Sequence, residues 1–287
     1  MKVAIQTYSV RQHMAKDSAG TLRALAEMGF KNWETCMLFG SDADWNFGLG
    51  MPPKEGKKFI DDLGVKIVGC HLGPDVMKDE ARLTEFLDYQ AAVGCWSPGL
   101  AADHYHDADD VKKRCELFNH VGELCRERGM VFHYHNHFHE FQIFDGQYVM
   151  DIILENTDPE LVVMELDTFW AARGGADPVA FMKKYGKRVI MLHQKDFPKD
   201  YPEDLNLFTA GRIHMDEYMN FPGASLGHEQ FAEIGTGVLP IQEYIDAGNA
   251  CGAKYITLEQ DFTKYDELES VQMSYNNFKA YNGIEWE

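Results

Sequence analysis

The stretch 130–196 contains three apolar runs that decide the fold: MVFHYHNH (130–137), LVVMELDTFW (161–170) and RVIMLHQKD (188–196). Each run has the length of a strand, and an amphipathic, helix-like segment separates it from the next. One strand and its following helix together take about 30 residues in α/β proteins. The spacing therefore predicts three successive parallel strands joined by helices.

The same alternation continues on both sides of this stretch. Further strand-like runs are KVAIQTYSV (2–10), NWETCML (32–38), VKIVGCHLG (65–73), a weaker run at 95–101, and KYITLEQD (254–261). Helices are predicted for a segment that closes at Gly29 and near 54–63, 79–93, 109–128, 147–155, 178–185, 239–250 and 265–281. Eight strands alternating with eight helices predict a closed (β/α)8 TIM barrel. No GxGxxG motif opens the first helix, so the main signature of a dinucleotide-binding Rossmann fold is missing.

The length of 287 residues suits one α/β barrel, and we expect a single domain over 1–287. Residues 197–237 break the rhythm as a long insertion after the seventh strand, rich in Pro, Asp, Asn and Gly. Loops of this length in compact domains are usually functional lids or partner surfaces. We therefore expect this insertion to have a role at the site or at an interface.

The composition restricts the class of partner. The formal net charge is -19, from 46 acidic and 27 basic residues, which disfavours a nucleic-acid groove or an anionic membrane surface. The N-terminus lacks the apolar core of a secretory signal, and no run approaches the roughly 18 apolar residues of a membrane span. Six scattered cysteines are typical of a reducing compartment. We expect a cytoplasmic protein with a small neutral or aromatic substrate.

Four candidate metal ligands stand at the ends of strand-like runs: Glu140, Asp167, His193 and Glu259. The first three are 27 and 26 residues apart, which places one polar side chain at the same level of successive strands. Catalytic groups of TIM barrels lie at these carboxyl ends. The interval from His193 to Glu259 is 66 residues. When the insertion is subtracted, it has the length of one strand and its helix, like the other two intervals. Three carboxylates and one imidazole predict a site for Mn²⁺. Mg²⁺ and Co²⁺ are the alternatives, and Zn²⁺ is a further candidate for binding in vitro.

Alternating histidines follow the fifth strand and its exit, so they point to one face: His133, His135, His137 and His139. If that face is the barrel interior, His135 or His137 reaches the ligand pocket, and His137 is the closer of the two to Glu140. The ordinary imidazole pKa near 6.5 makes His137 a candidate general base or substrate contact. A hydrogen-bonded interior histidine is the alternative.

Four further residues are candidate substrate contacts. His71 ends the third strand-like run at an equivalent level. Lys195 carries the charge to hold a substrate oxygen or an enolate, with a salt bridge at the barrel rim as the alternative. Trp170 is placed to stack on a sugar ring or aglycone, although core packing is the usual role of an aromatic side chain. Arg212, inside the insertion, is a candidate to fold over the site, with placement on the protein surface as the alternative.

Several segments together resemble the sugar phosphate isomerase/epimerase family of xylose isomerase-like barrels. The matching stretches are YHNHFHEF (134–141), ELDTFWAARGGADP (165–178), LHQKDF (192–197), EIGTGVLPIQ (233–242) and YITLEQD (255–261). The resemblance covers mainly the second half of the chain and specifies the superfamily rather than a substrate. It implies a divalent metal on Glu140, Asp167, His193 and Glu259, with His137 as the alternative to Glu140, which lies three residues beyond the strand-like run. It further implies that Glu140 and Glu259 act as acid and base on opposite faces of the substrate.

The activity implied by the resemblance is a metal-dependent isomerase or epimerase acting on a keto sugar or keto inositol. The metal would acidify the proton α to the carbonyl, and Glu259, Glu140 or His137 would remove it to give a metal-stabilised enediolate. Reprotonation elsewhere gives an isomer or epimer. Expulsion of a β-substituent makes the enzyme a lyase.

Other uses of the same barrel are the alternatives. One is the catalytic metal-binding subunit of a C-glycoside deglycosidase, a lyase that cleaves the C–C bond of a 3-keto C-glucoside together with a β-sandwich partner. A DNA-repair endonuclease needs three metals and a basic groove, which the net charge disfavours. A non-catalytic sugar-binding protein is the remaining alternative. We expect a carbohydrate or glycoside ligand, and either a homo-oligomer or a hetero-oligomer with a small β-rich subunit.

Overall fold

The computed structural model describes residues 1–37, 47–201, 204–208 and 227–286. Within these residues, parallel strands close into an eight-stranded barrel in which each strand lies beside its chain neighbours and the last pairs with the first. This confirms the predicted TIM barrel.

The barrel strands are β1 (Lys2–Gln6), β2 (Asn32–Cys36), β3 (Lys66–Leu72), β4 (Ser97–Leu100), β5 (Phe132–His135), β6 (Val162–Asp167), β7 (Val189–Gln194) and β8 (Tyr255–Leu258). Each lies inside the run predicted for it. The strands are shorter than the runs because the ends of the runs turn into loops and short helices. A two-stranded antiparallel ribbon, Ile143–Phe144 with Gln147–Tyr148, lies outside the barrel.

The helices are α1 (Arg11–Lys16), α2 (Ser18–Met28), α3 (Pro53–Leu63), α4 (Pro74–Lys78), α5 (Glu80–Val93), α6 (Ala108–Glu127), α7 (Val149–Glu155), α8 (Thr168–Arg173), α9 (Pro178–Tyr185), α10 (Ile241–Cys251) and α11 (Glu267–Phe278). Short helices α1, α4 and α8 were not predicted, because they begin inside or directly after strand-like runs that hide their periodicity. Helix α2 ends where expected, at Gly29, whose φ of 111° favours glycine. Among the described residues, no helix has the length and apolarity to cross a membrane.

Strand β6 shows how the apolar core separates from a polar barrel interior. Val162, Met164 and Leu166 alternate with Glu165 and Asp167, and all five are buried. Because successive side chains of a strand point to opposite faces, the apolar ones pack outward under the helices and the carboxylates point into the barrel. Burial of each large apolar side chain contributes roughly 1.5–3 kcal/mol. The outer layer thus stabilises a barrel whose interior carries charge.

The connection from β7 to α10 contains the predicted insertion. Residues 202–203 and 209–226 lie outside the described residues, and the candidate Arg212 is among them. The described part is held by Asp196, whose carboxylate accepts backbone N–H groups of Gly235 and Gly237 at 3.0 and 2.9 Å. The two ends of the insertion therefore meet beside the end of β7. The single-domain organisation stays a prediction.

Candidate active site

Four donor residues meet at the carboxyl ends of neighbouring strands. His135 ends β5, Asp167 ends β6, His193 lies in β7 beside Asp167, and Glu259 directly follows β8. One donor atom from each lies within 4.8 Å of the others, and all four residues are buried. We call these four residues the mouth group. It contains three of the four predicted ligands.

The fourth predicted ligand, Glu140, is not part of the mouth group, where His135 stands instead. The chain leaves β5 at His135, and the Glu140 carboxylate folds back onto the turn that follows. Its Oε2 accepts the backbone N–H of His137 at 2.8 Å, and its Oε1 accepts the hydroxyl of Tyr134 at 2.8 Å. The His139 imidazole lies 3.2 Å from the same Oε1. In this position Glu140 anchors the loop.

A signal for His135 was present in the sequence. It is the last residue of its strand, as Asp167 is of the next one, and the register pairs it with Glu165. The spacing of 27 residues between Glu140 and Asp167 favours Glu140 instead. Spacing along the chain does not show that a side chain folds back.

Backbone contacts fix the orientation of the Asp167 carboxylate. Its Oδ1 accepts the N–H of Trp170 at 2.7 Å, as the cap of helix α8, which leaves Oδ2 facing the other donors. The side chain of Asn136 donates to the Asp167 carbonyl at 3.1 Å and accepts its N–H at 2.9 Å. The end of β6 is thereby tied to the exit of β5.

The ammonium of Lys195 lies between carboxylates of the mouth group. Its Nζ is 2.5 Å from Asp167 Oδ2, 2.5 Å from Glu259 Oε2 and 3.9 Å from Asp261 Oδ1. Burial opposes the charge, yet these carboxylates raise the pKa of Lys195 above its ordinary value, so the side chain is cationic. The structure shows a buried ion pair at the position predicted for a substrate contact or a rim salt bridge.

Local electrostatics set the protonation of the mouth group. Burial, with the neighbouring His193 and His71, lowers the pKa of His135 well below its usual range, so this imidazole is neutral. Burial alone would raise the pKa of Glu259, but the Lys195 ammonium and His193 hold it well below its usual range. His135 and Glu259 thus have the protonation states that bind metals, whereas, against the effect of burial, the charges of Glu165 and Glu34 raise the pKa of His193, which must release its proton to bind an ion.

The donor set of the mouth group fits a divalent metal. His135 places Nδ1 3.1 Å from Glu165 Oε2 and Nε2 4.0 Å from Asp167 Oδ2. His193 places Nδ1 2.9 Å from Glu259 Oε2 and Nε2 against Glu34 Oε2. A ligating histidine typically has its second nitrogen held by such a carboxylate. His135, Asp167, His193 and Glu259 are therefore the residues that would hold an ion.

Comparison with protein families agrees with this geometry. The family model described as "Xylose isomerase-like TIM barrel" matches residues 22–275, which is most of the chain. This chain belongs to that family.

Among sequence relatives, the chain is similar to an inosose dehydratase of Geobacillus kaustophilus (strain HTA426). The two are 26% identical over 215 residues, 67% of this chain and 65% of the relative. Further inosose dehydratases match over 53% and 60% of their own lengths. The chain thus spans between about half and two thirds of the length of these three relatives, which are enzymes.

Solved structures superpose on nearly the whole chain. A sugar phosphate isomerase/epimerase from Parabacteroides distasonis ATCC 8503 superposes with a TM-score of 0.77 at 25% identity, covering 99% of this chain and 95% of that one. An IOLI protein with a binding zinc atom superposes with a TM-score of 0.70, covering 98% and 100%. Its 11% identity shows the shared fold alone.

A second set of buried donors lies deeper in the barrel, and we call it the inner group: Glu34, His71, His133 and Glu165. The predicted substrate contact His71 belongs to this set, with Nε2 2.9 Å from Glu165 Oε2. The sequence prediction missed Glu34 and Glu165. A glutamate inside an apolar strand, as in NWETC and VVMELD, is a signal because carboxylates are seldom buried without a partner.

Burial dominates the electrostatics of the inner group. It raises the pKa of Glu165 to about 7 and, together with the neighbouring Glu165 charge, raises that of Glu34. Burial also lowers the pKa of His133 well below its usual range. These shifts follow from holding two carboxylates close together away from water.

The predicted base His137 and the aromatic Trp170 lie beside the mouth group. The His137 ring centroid is 5.2 Å from that of His135 and 5.6 Å from that of Trp170. Burial lowers the pKa of His137 to about 3, so the imidazole is uncharged at neutral pH. Among the described residues, its Nδ1 has no hydrogen-bond partner. Trp170 is 2% exposed and packs on Phe169 and Phe231.

Proposed function

We propose that this chain is a metal-dependent enzyme that removes the proton α to the carbonyl of a keto sugar or keto inositol and returns it as an isomerase or epimerase. The observation that carries the proposal is the mouth group, four buried donors at the strand ends where barrels of this family place their chemistry. The inosose dehydratases and the isomerase/epimerase named above support the substrate class.

The order of preference among divalent metals that we propose differs from the order predicted from sequence. Two imidazoles and two carboxylates form a softer donor set than three carboxylates and one imidazole, so Mn²⁺, Co²⁺ and Zn²⁺ suit it better than Mg²⁺. A bound ion would act as a Lewis acid on the carbonyl and adjacent hydroxyl oxygens of the substrate.

Among the residues around the mouth group, His137 is placed to take the proton. It lies next to His135, and within the described residues its Nδ1 has no hydrogen-bond partner. Of the other two predicted bases, Glu259 has its Oε2 shared by Lys195 and His193, and Glu140 has both oxygens engaged by Tyr134 and His137. In this proposal the Lys195 ammonium holds the negative charge that develops on the substrate oxygen, and His137 returns the proton to carbon.

Solvent exchange tests the proposed reaction. The metal-loaded protein, incubated in D₂O with a keto inositol or ketohexoses, should exchange the proton α to the carbonyl, followed by NMR. Because Asp167→Asn removes a ligand and His137→Gln removes the base, we expect exchange to fall at least about 100-fold in each. His120→Gln, an exposed histidine on α6, serves as the control and should leave exchange unchanged. Absence of exchange with every ketone would refute the proposal.

Dehydration is a second candidate, favoured by the inosose dehydratases among the relatives. It begins with removal of the same proton and ends with loss of a β-hydroxyl group as water. Appearance of the conjugated enone absorbance in the same incubation separates dehydration from isomerisation. The C-glycoside deglycosidase with its β-rich partner, the oligomeric state and the cytoplasmic location stay predictions.

A further inference from the structure

We propose that the inner group, Glu34, His71, His133 and Glu165, is a second cation site, suited to Zn²⁺ or Co²⁺. Its four residues are distinct from the four residues of the mouth group, and one donor atom from each lies within 4.8 Å of the others. The proposal is independent of the proposed function, because the inner site requires neither a ketone substrate nor an ion at the mouth.

The spacing of the inner donors matches a tetrahedral ion. Zn²⁺ bound to nitrogen and oxygen at about 2.0–2.2 Å requires ligand atoms about 3.3–3.5 Å apart. Glu34 Oε1 is 3.4 Å from His71 Nε2 and 3.7 Å from His133 Nε2. Glu165 Oε2 is 2.9 Å from His71 Nε2 and 3.5 Å from His133 Nε2. Three of these four distances exceed a normal hydrogen bond and are close to the edges of a tetrahedron.

Hydrogen bonds of Ser97 fix the tautomer of His133. The hydroxyl of Ser97 donates to the Val131 carbonyl at 2.8 Å, which uses its single proton. His133 Nδ1, 3.0 Å from the same hydroxyl oxygen, must therefore donate its own proton to it. The neutral ring then presents a bare lone pair at Nε2, aimed at the oxygens of Glu34 and Glu165. A cation between them converts this repulsion into attraction.

The two oxygen atoms of Glu34 serve different groups, whereas Glu165 Oε2 lies beside both. Oε2 of Glu34 contacts the imidazole of His193, and Oε2 of Glu165 contacts that of His135 as well as those of the inner group. Glu34 Oε1 is buried and, among the described residues, has no hydrogen-bond partner. His133 Nε2 is in the same condition. Buried polar atoms without partners are expensive in a protein interior, and an ion at the inner group would satisfy both.

Carboxylates outnumber the cationic side chains in and around the two groups. Five carboxylates line the two groups and their border: Glu34, Glu165, Asp167, Glu259 and Asp261. In the described part of the chain, Lys195 is the only Lys or Arg within ion-pair distance of them. A bound cation would offset the charge of carboxylates held in this interior.

Ligation by His71 sets a requirement on Gln6. The Gln6 side-chain nitrogen lies 3.3 Å from His71 Nδ1 and 3.1 Å from Glu34 Oε2. For Nε2 to bind the ion, the His71 proton must reside on Nδ1, and the Gln6 amide must turn its oxygen toward it. The inner site therefore predicts a reversed Gln6 amide when the ion is bound.

Metal stoichiometry tests the inner site. The full chain is stripped with a chelator, dialysed against excess Zn²⁺, and analysed for bound zinc by mass spectrometry. We expect two ions per chain in the wild type and one in His133→Asn, which keeps a polar atom near Ser97 but lacks Nε2. Asp167→Asn should also bind one ion, and His120→Asn, an exposed histidine, should bind two.

The outcomes separate the two sites. One ion in the wild type that disappears in Asp167→Asn and persists in His133→Asn overturns the inner site. One ion that persists in Asp167→Asn and disappears in His133→Asn supports it and contradicts a metal at the mouth. If His133→Asn does not fold, the number of zinc ions bound by the wild type and by Asp167→Asn tests the inner site. Saturation at two ions, with one left in Asp167→Asn, supports the inner site, and absence of zinc in Asp167→Asn overturns it.

Discussion

Individual carboxylates of this barrel are stabilised by different partners, and the partner determines the role of each. Glu140 accepts hydrogen bonds from Tyr134 and from the backbone of His137 and serves a loop. Glu259 pairs with the Lys195 ammonium at the mouth. Glu34 and Glu165 face imidazoles in the interior, without Lys or Arg within ion-pair distance in the described chain. A buried carboxylate needs a compensating charge or donor, so its contacts are a better guide to its role than its position in the sequence.

Glu140→Gln tests whether this residue is a loop anchor or a metal ligand. Because Tyr134 and His137 use different oxygens of the carboxylate, the amide can satisfy only one of them as an acceptor. We expect the free energy of unfolding in urea to fall by about 1–3 kcal/mol, with bound metal unchanged. Loss of the metal, as expected for Asp167→Asn measured in parallel, would show that Glu140 is a ligand after all.

The glycine in strand β4 makes room for one donor of the inner group, His133 in the neighbouring strand β5. In β4, Gly99 pairs with His133 of β5, and a Cβ added at Gly99 would lie 2.0 Å from His133 Nε2. The absence of a side chain at this position makes room for the imidazole between the strands. The glycine is therefore required by space, since its φ is not in the left-handed region.

Gly99→Ala should displace the His133 ring. We expect a loss of about 1–3 kcal/mol in the free energy of unfolding, because a side chain is forced into a packed interior. Gly73→Ala is the matched control, since a Cβ there meets no atom within 4 Å and the backbone is extended. Equal stability of the two variants in urea denaturation would show that His133 is not held as the structure has it.

The elements were predictable to different degrees. Strand and helix positions followed from apolar periodicity, because that pattern is produced by the same burial that builds the barrel. The meeting of Asp167, His193 and Glu259 followed from their places at strand ends. Glu140 does not lie with them, because its side chain folds back onto the loop. Glu34 and Glu165 were missed because the apolar runs around them read as ordinary core.

The whole molecule combines a net charge of -19 with a barrel interior rich in carboxylates. Burial raises the pKa of Glu165 and of Asp261 to about 7. Burial opposes protonation of His193, but the charges of Glu165 and Glu34 raise its pKa well above the usual range. The folded, metal-free chain therefore holds protons that the unfolded chain releases at neutral pH.

Stability of the metal-free protein should fall between pH 7 and pH 9. A histidine whose pKa is raised in the folded state stabilises the fold fully below a pH of about 6.5, its ordinary pKa. This stabilisation is lost as the pH rises through the pKa of the folded state. Each proton retained only by the folded state lowers the free energy of unfolding by about 1.4 kcal/mol per pH unit. Urea denaturation of chelator-treated protein at pH 7, 8 and 9 measures the slope, and His193→Gln should reduce it. A flat profile in the wild type would contradict the protonation of His193.

The central claim is that the mouth group holds the metal of a xylose isomerase-like enzyme. Anomalous diffraction from a crystal of the Mn²⁺-loaded or Zn²⁺-loaded protein, recorded at the absorption edge of that metal, locates the ion directly. We expect an anomalous peak among His135, Asp167, His193 and Glu259. A peak at Glu140, or an empty mouth group in the metal-loaded crystal, would contradict it.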